Sequence, residues 1–494
     1  MAFSGITFLF GFLPACLLAY FLLPARFREG RNGLLLIFSL LFYAWGGLWL
    51  LPLFLAVCLG IWAGGLLLEP KGNGRGELAG GAGKSAVFLT LSPGGRKRLF
   101  IVLTALLTAV LAVFKYAGFL LDNLRLLGLD APAPSIAIPA GVSFFVFQAM
   151  AYLADVYRGS VPAERRLSRL TLYMAFFPQL LQGPIVRYGD FGPLLAERRE
   201  TAEEASAGAV RFCFGLAKKV LLADALGAVA NGAYASGDRL SVSLAWMGSI
   251  AYSLQLYFDF SGYTDMALGL GRIFGLPLPE NFNYPYIAQS AGEFWRRWHI
   301  TLSRWFRDYV YIPLGGSRCS RGRQVRNLLA VWLLTGSWHG SAWTFVLWGL
   351  YYAAFLLGEK FLWGGGLGRL PRPLRHLYAL LIINFGWVLF RAESLRQAGA
   401  VLSAMLGFAP GGLWSGESEY YLRQYAWEWL IALPAALPVK LWLEGALDGR
   451  GRSGGKWAGA LLLWGPKLLA GALACLSIVR LLGSTTQTFL YFQF

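Results

Sequence analysis

Residues 328–358 read LLAVWLLTGSWHGSAWTFVLWGLYYAAFLLG, a run in which His339 is the one acid or base. A helix needs about 20 apolar residues to cross the hydrocarbon core of a bilayer. This run has more than that, enough for one long embedded helix or two shorter ones. An ionisable side chain in such a place is costly to bury and is a functional candidate by default. Gly336 and Gly340 bracket Trp338 and His339, and glycines there admit the close approach of another backbone or of a substrate. The structural alternative is a histidine bonded to the carbonyl of a neighbouring helix.

Outward from this run the same signal recurs. Of 494 residues 56% are hydrophobic and 14% charged, against roughly a quarter charged in a soluble domain. The chain has 19 Trp and 22 Tyr, residues that favour the two interfaces of a bilayer. Apolar segments near 5–23, 33–48, 50–68, 99–121, 139–157, 208–234, 242–275, 328–357, 376–392, 424–445 and 456–482 predict an all-α polytopic membrane protein. We expect about ten or more membrane helices, plus re-entrant or interfacial ones, in one membrane-embedded body over 1–494. The stretch 171–186 is interrupted by Pro178, Gly183 and Pro184, and is a candidate for a re-entrant segment, tolerated only under cover of protein or water. The first segment lacks a preceding basic run and a clear small-residue cleavage site, so it does not read as a cleavable signal.

The formal charge of +18 is distributed as flanks. Arg26, Arg28 and Arg31 follow the first segment. Lys71, Arg75, Lys84, Arg96, Lys97 and Arg98 lie between the third and fourth, and Arg158, Arg165, Arg166 and Arg169 after the fifth. Alternating crossings put all three clusters on one face, which the positive-inside rule makes cytoplasmic, with Met1 outside. Basic residues flanking apolar helices argue for membrane lipid headgroups and against nucleic acid. The five cysteines, Cys16, Cys58, Cys213, Cys319 and Cys475, have no paired spacing, and with three histidines no metal site is expected. The stretch 69–98 reads as a flexible cytoplasmic loop. Its Gly80-Gly81-Ala82-Gly83-Lys84-Ser85 imitates a phosphate loop but has Leu78 where the pattern needs glycine, and no strand precedes it. Residues 410–423 and 449–456 read as further polar breaks.

A second informative block, 281–316, reads NFNYPYIAQSAGEFWRRWHITLSRWFRDYVYIPLGG. From Glu293 to Tyr309 its spacing is helical. Trp295, Trp298, His299, Leu302, Phe306 and Tyr309 share one side; Arg296, Arg304 and Arg307 fall largely on the other, with Arg297 near the boundary. Such a helix lies in the membrane plane, as an anchor or as a receiver of a polyanionic ligand such as coenzyme phosphates. His376 reads as a boundary residue. In 242–275, Asp259 and Asp265 stand six residues apart, too far around a helix to form one carboxylate pair unless Gly262 breaks it. Asp265 and Arg272 share a face and suggest a salt bridge within the bundle, direct or relayed. No GxSxG elbow is present. A histidine without a nucleophile partner suits direct transfer, the neutral imidazole taking a proton from an acceptor hydroxyl as that hydroxyl attacks an activated acyl group.

Long strings carry a resemblance. The segments LPLPENFNYPYIAQSAGEFWRRWHITLSRWFRDYVYIPLGG (276–316) and LLTGSWHGSAWTFVLWGLYY (333–352) closely resemble the membrane-bound O-acyltransferase family, and within it the bacterial branch that includes alginate O-acetyltransferase. IPAGVSFFVFQAMAYLADVYRG (138–159) and FFPQLLQGPIVRY (176–188) extend the similarity to about 138–358. The resemblance implies a helical bundle around a central channel, His339 as the catalytic histidine in its WHG context, and His299, in its RRWH context, as a second functional histidine. Arg296, Arg297, Trp338, Asp259 and Asn283 are candidate substrate-binding residues. The resemblance further implies an acyl-CoA donor on the cytoplasmic side, with no bound cofactor. The acyl group would pass outward to an extracytoplasmic polysaccharide, often through a periplasmic partner of the SGNH-hydrolase type. Alginate, peptidoglycan and other envelope glycans share this signature; a D-alanyl-transferring teichoic-acid relative is a poorer match. A transporter would show repeated halves, and no internal repeat is seen; a non-catalytic scaffold is the other competing class.

Overall fold

The computed structural model describes residues 1–70, 91–129, 138–439, 456–483 and 489–490, and every regular element among them is helical. The Gly80 to Ser85 sequence with most of the expected loop 69–98, the basic break from Gly449, and the far end of the expected span 424–445 lie outside the described residues.

Helices form where the apolar runs predict them. A π-helical turn, Thr7–Phe12, leads into α1 (Leu13–Leu22), followed by α2 (Arg28–Ala44), α3 (Leu51–Leu68), α4 (Pro93–Leu126) and α5 (Val142–Arg158). Helix α4 opens with Ser92 accepting from the Gly95 amide at 3.2 Å and with Pro93 in its first turn, where a missing N–H costs nothing. Of its 34 residues only Leu107 and Lys115 are buried. An apolar rod about 50 Å long exposed along its length has hydrocarbon as its natural solvent. Four helices among the described residues are long and apolar enough to cross a membrane: Leu48–Leu68, Pro93–Leu126, Arg372–Arg391 and Leu463–Gly483. The other expected segments are helical but shorter, interrupted or charged. The run 208–234, for example, is α9 (Ala202–Ala217), a π turn Lys218–Ala223 and α10 (Asp224–Ala235).

The chain divides into two compact units, one of Met1, Gly5–Glu204 and Gly271–Leu278, the other of Ala2–Ser4, Ala205–Leu270 and Pro279–Phe494. In the first, the stretch 171–186 is broken as expected. Helix α6 (Leu167–Ala175) stops at Phe176, α7 (Phe177–Leu180) is a single turn, and α8 (Tyr188–Ala196) follows. At Gly183 a Cβ would lie 2.2 Å from Gln179 Cα, so only glycine lets the chain fold back onto α7. Residues 170–186 are all buried, which covers their irregular backbone. One arginine of the first basic cluster is drawn inward: Arg31 donates to the Leu23 carbonyl at 2.7 Å and lies 3.2 Å from Glu200.

The second unit contains α11 (Val242–Ile273) as far as Leu270, α12 (Ala291–Arg297), α13 (Ile300–Phe306), α14 (Arg321–His339), α15 (Trp343–Phe361), α16 (Gly364–Arg369), α17 (Arg372–Arg391), α18 (Leu395–Met405), α19 (Gly416–Gln424), α20 (Ala426–Ala435) and α21 (Lys456–Gly483). The break expected over 410–423 is a loop only as far as Ser415. The Ser415 hydroxyl caps α19 by accepting from the Ser418 amide, and Glu417 and Glu419 sit in the first turn, where the helix dipole favours them. The run 328–357 is two helices, reversing after His339. A Cβ on Gly336 would meet the Phe345 carbonyl oxygen at 2.4 Å, and one on Gly349 the Trp332 carbonyl oxygen at 2.4 Å. The close approach that the glycines permit is therefore made by α15, which also fills the space at Gly340 with the Phe345 ring.

A methyl group at Gly349 must push one helix backbone off the other. Gly349→Ala is expected to cost roughly 3 kcal/mol, the upper part of the range for overpacking, read from the unfolding midpoint in detergent. Gly399→Ala, which meets open space on α18, is the control and should not destabilise, gaining up to about 1 kcal/mol from helix propensity.

Candidate active site

The helix expected from Glu293 to Tyr309 is in fact two helices and a π turn: α12 ends at Arg297, α13 starts at Ile300, and the turn Arg307–Tyr311 follows. The interruption is His299, whose φ of 42° is left-handed, a conformation costing a non-glycine residue about 1–2 kcal/mol. Periodicity could not show this, because the competing interaction comes from a segment upstream. The Asn281 side-chain oxygen accepts from the Thr301 amide at 3.1 Å, the Thr301 hydroxyl at 2.9 Å and His299 Nδ1 at 3.1 Å. The backbone adds two rungs, Ile300 N to Asn281 O at 3.0 Å and Asn283 N to Arg297 O at 2.9 Å. The aromatic and arginine faces nonetheless survive: Trp295, Trp298, Leu302 and Phe306 are buried, Arg296, Arg304 and Arg307 exposed.

These bonds fix the chemistry of His299. A backbone amide can only donate, so the Asn281 atom it reaches is the oxygen, and the histidine must donate to that oxygen from Nδ1. Burial pushes the imidazole down to about 3 from 6.5, leaving it neutral. Its lone pair is therefore on Nε2, which is buried without a hydrogen-bond partner among the described residues.

The two candidate histidines come to one place although 40 positions apart in the sequence. The Trp338 ring lies 6.1 Å from His299 and 4.9 Å from His339, ring centre to ring centre. His339, also buried, meets Trp348 edge-on at 5.0 Å and Phe390 at 5.2 Å. Phe260 stands edge-on to His299 at 4.8 Å. Two imidazoles thus share an aromatic chamber in which proton transfer would be shielded from bulk water.

The other candidates are placed around this chamber or apart from it. Arg296 is exposed. Arg297 bonds Glu293 at 2.9 Å and the Asn283 carbonyl at 3.1 Å, so Arg297 and Asn283 fasten the clamp that bends the chain at His299. Asp259 is held by Lys219, at 2.7 Å, and by the Leu490 amide, at 3.0 Å; Lys219 also reaches Asp224 at 2.7 Å and lies over the Phe489 ring. Asp265 pairs with Arg211 and Lys218, not with Arg272 as its helical face suggested; Arg272 pairs with Glu204. Gly262 leaves α11 unbroken, its missing side chain instead admitting the Gly215 carbonyl. His376 lies at 3.1 Å from the Ala288 carbonyl. Asn281, Trp348, Phe260 and Phe390 were not foreseen. Asn281 stands two residues before the chosen Asn283, and the aromatics are indistinguishable in sequence from any others on apolar helices.

The long apolar helices mark a membrane protein, and in its second unit two buried histidines flank one indole. The family model for the membrane-bound O-acyltransferase family matches residues 166–386, which include both histidines. The chain is 43% identical to the probable alginate O-acetylase of Azotobacter vinelandii, over 83% of this chain and 78% of that protein. It is 33% identical to the peptidoglycan O-acetyltransferase of Helicobacter pylori, over 87% and 83%. With the teichoic acid D-alanyltransferase of Bacillus subtilis it shares 30% identity over 51% and 66%. The chain belongs to the membrane-bound O-acyltransferase family and is a membrane acyltransferase.

The buried neutral His299 ties stability to pH. Between pH 6.5 and about 3 the unfolded chain binds a proton that the folded chain refuses, so stability should fall as pH drops through that window and be unaffected by this group above it. His299→Asn, which keeps a residue tolerant of left-handed backbone, should flatten the melting temperature against pH in detergent. An unchanged profile would dissociate His299 from the acid sensitivity.

Proposed function

We propose that this enzyme moves an acetyl group from acetyl-CoA on the cytoplasmic side of the bacterial inner membrane to a hydroxyl of an extracytoplasmic polysaccharide. The observation that carries the reading is the single indole, Trp338, in ring contact with both histidines. His339 acts as the general base. The acceptor hydroxyl attacks the thioester carbonyl carbon as its proton passes to the imidazole, and the departing thiolate takes that proton back. His299 offers the Nε2 lone pair as a hydrogen-bond acceptor to a neighbouring hydroxyl of the acceptor sugar, which orients the attacking one toward His339, and Trp338 holds the two rings in register. The exposed Arg296, with Arg297 behind it, suits the phosphates of the coenzyme. Asp259 and Asn283 serve by holding the walls, through their bonds to Lys219 and Arg297.

Alginate is the favoured acceptor, because the relatives at 40–43% identity are named for alginate O-acetylation. Peptidoglycan or another envelope glycan is the second reading, favoured by the Helicobacter relative. On this reading the membrane body has ten or more helices around a channel, its first residue outside, and an SGNH-type partner presents the polysaccharide hydroxyl on the outer side. A transporter or scaffold would need no base at position 339.

His339→Ala should lose transfer of labelled acetyl by about 10²–10⁴-fold, the usual contribution of a general base, while membrane insertion persists. Near-normal transfer by the inserted variant would remove the base and favour the scaffold. For orientation, Ser160→Cys in a cysteine-free background places a thiol at the exposed end of the third basic cluster. An impermeant reagent should label it only after the membrane is opened; labelling in intact cells would reverse the topology.

A further inference from the structure

We infer that the Trp348 indole N–H donates the hydrogen bond that stabilises the acyl carbonyl oxygen as it becomes negative. This rests on the reading of His339 as the base of acyl transfer. Trp348 is fully buried and edge-on to His339 at 5.0 Å, with the rings 81° apart. Its Nε1 is buried and has no acceptor among the described residues. An indole nitrogen can only donate, and buried donors are ordinarily paired, so an unpaired donor on a ring touching the base is one reserved for an acceptor that arrives with the substrate. Phe390, another ring against His339, carries no donor.

The ring is also held as such a donor must be. Trp295, Tyr352, Phe390 and Trp387 surround it, with centres 5.6, 5.2, 5.2 and 6.1 Å away. The next residue, Gly349, locks its helix against the backbone of α14, which ends in His339. Base and donor are thereby mounted on two helices that cannot slide apart without breaking a backbone contact. A donor fixed before the reaction needs no reorganisation when charge develops. The step balances. The hydroxyl oxygen bonds to the carbonyl carbon, its proton goes to His339, and the carbonyl π pair moves to the oxygen facing Trp348. The carbonyl then re-forms, the C–S bond breaks, and the thiolate leaves with the proton from the imidazolium.

The test uses the full chain reconstituted in lipid vesicles, following release of CoA thiol from acetyl-CoA with alginate oligosaccharides present. Trp348→Phe keeps an aromatic ring and removes the N–H. It should lower kcat by about 10²–10³-fold, the usual effect of removing one such donor, with the KM for acetyl-CoA nearly unchanged and thermal stability not reduced. Trp429→Phe deletes another buried indole N–H without a partner among the described residues, on α20, and should leave kcat close to wild type. If Trp348→Phe does not fold, the isosteric benzothiophene amino acid at position 348 makes the same deletion. Wild-type kcat in the N–H-less protein overturns the inference, as does a rise in KM alone, which would make Trp348 a binding wall. Wild-type release by His339→Ala, or none by the unaltered chain, would instead remove the underlying reading, whatever Trp348 does.

Discussion

One carboxamide oxygen governs the architecture of the site. Asn281 receives three donors on a single acceptor atom, two from Thr301 and one from His299, and an uninterrupted helix from 291 to 311 would leave that oxygen without them. An apolar residue would strand donors at a cost of about 1–3 kcal/mol each, and a carboxylate would bring a charge into a site with 0% exposure. The bond that breaks the helix also decides which nitrogen of His299 holds the proton, so conformation and reactivity have one cause. The left-handed residues Tyr284 and His299 are the strain this arrangement carries, and the paired backbone between them is what maintains it.

The second device is purely steric. Between α14 and α15 the backbones meet at Gly336 and Gly349 with no room for a methyl group. Asn281 therefore orients one imidazole by hydrogen bonds, while the glycine contact positions the other by exclusion. Trp338 is where the two meet. Around them the wall is almost entirely aromatic, and such rings combine large buried area with few rotatable bonds. The chamber is stiff because of its composition. On the other side of the economy stands α4, whose apolar surface only a bilayer satisfies.

Much of this was legible beforehand, for definite reasons. A lone histidine in an uncharged run is visible because the run is long, and the alternation of Trp295, Trp298 and Leu302 with Arg296 and Arg304 is visible because burial follows helical phase even across a kink. The kink itself was not visible. Its cause lies 18 residues upstream of His299, in a sequence where Asn281 and Asn283 look equivalent, and the two prove to act differently, Asn281 through its side-chain oxygen as well as its backbone and Asn283 through its backbone. Asp265 was matched to Arg272 by phase along one helix, whereas its partners come from Arg211 and Lys218 on a neighbouring segment. Phase reports which side a residue occupies, not what waits there. Phe390 and Trp348 gave no signal, because an aromatic residue facing a catalytic ring and one facing another packed ring have the same pattern.

The carboxylate of Asp259 has a backbone partner 231 positions further along the chain, the Leu490 amide, while Phe489 covers the lysine that neutralises it. A ribosome adding about 5–20 residues per second makes those two residues on the order of 10–50 s after Asp259. The membrane body therefore emerges with a buried charge only partly accommodated, and its interior closes late. During that interval quality-control proteases and insertion factors meet a protein whose earlier helices are present but whose buried ion pair still lacks its cover, so the interior stays open to them until residues 489 and 490 have been made.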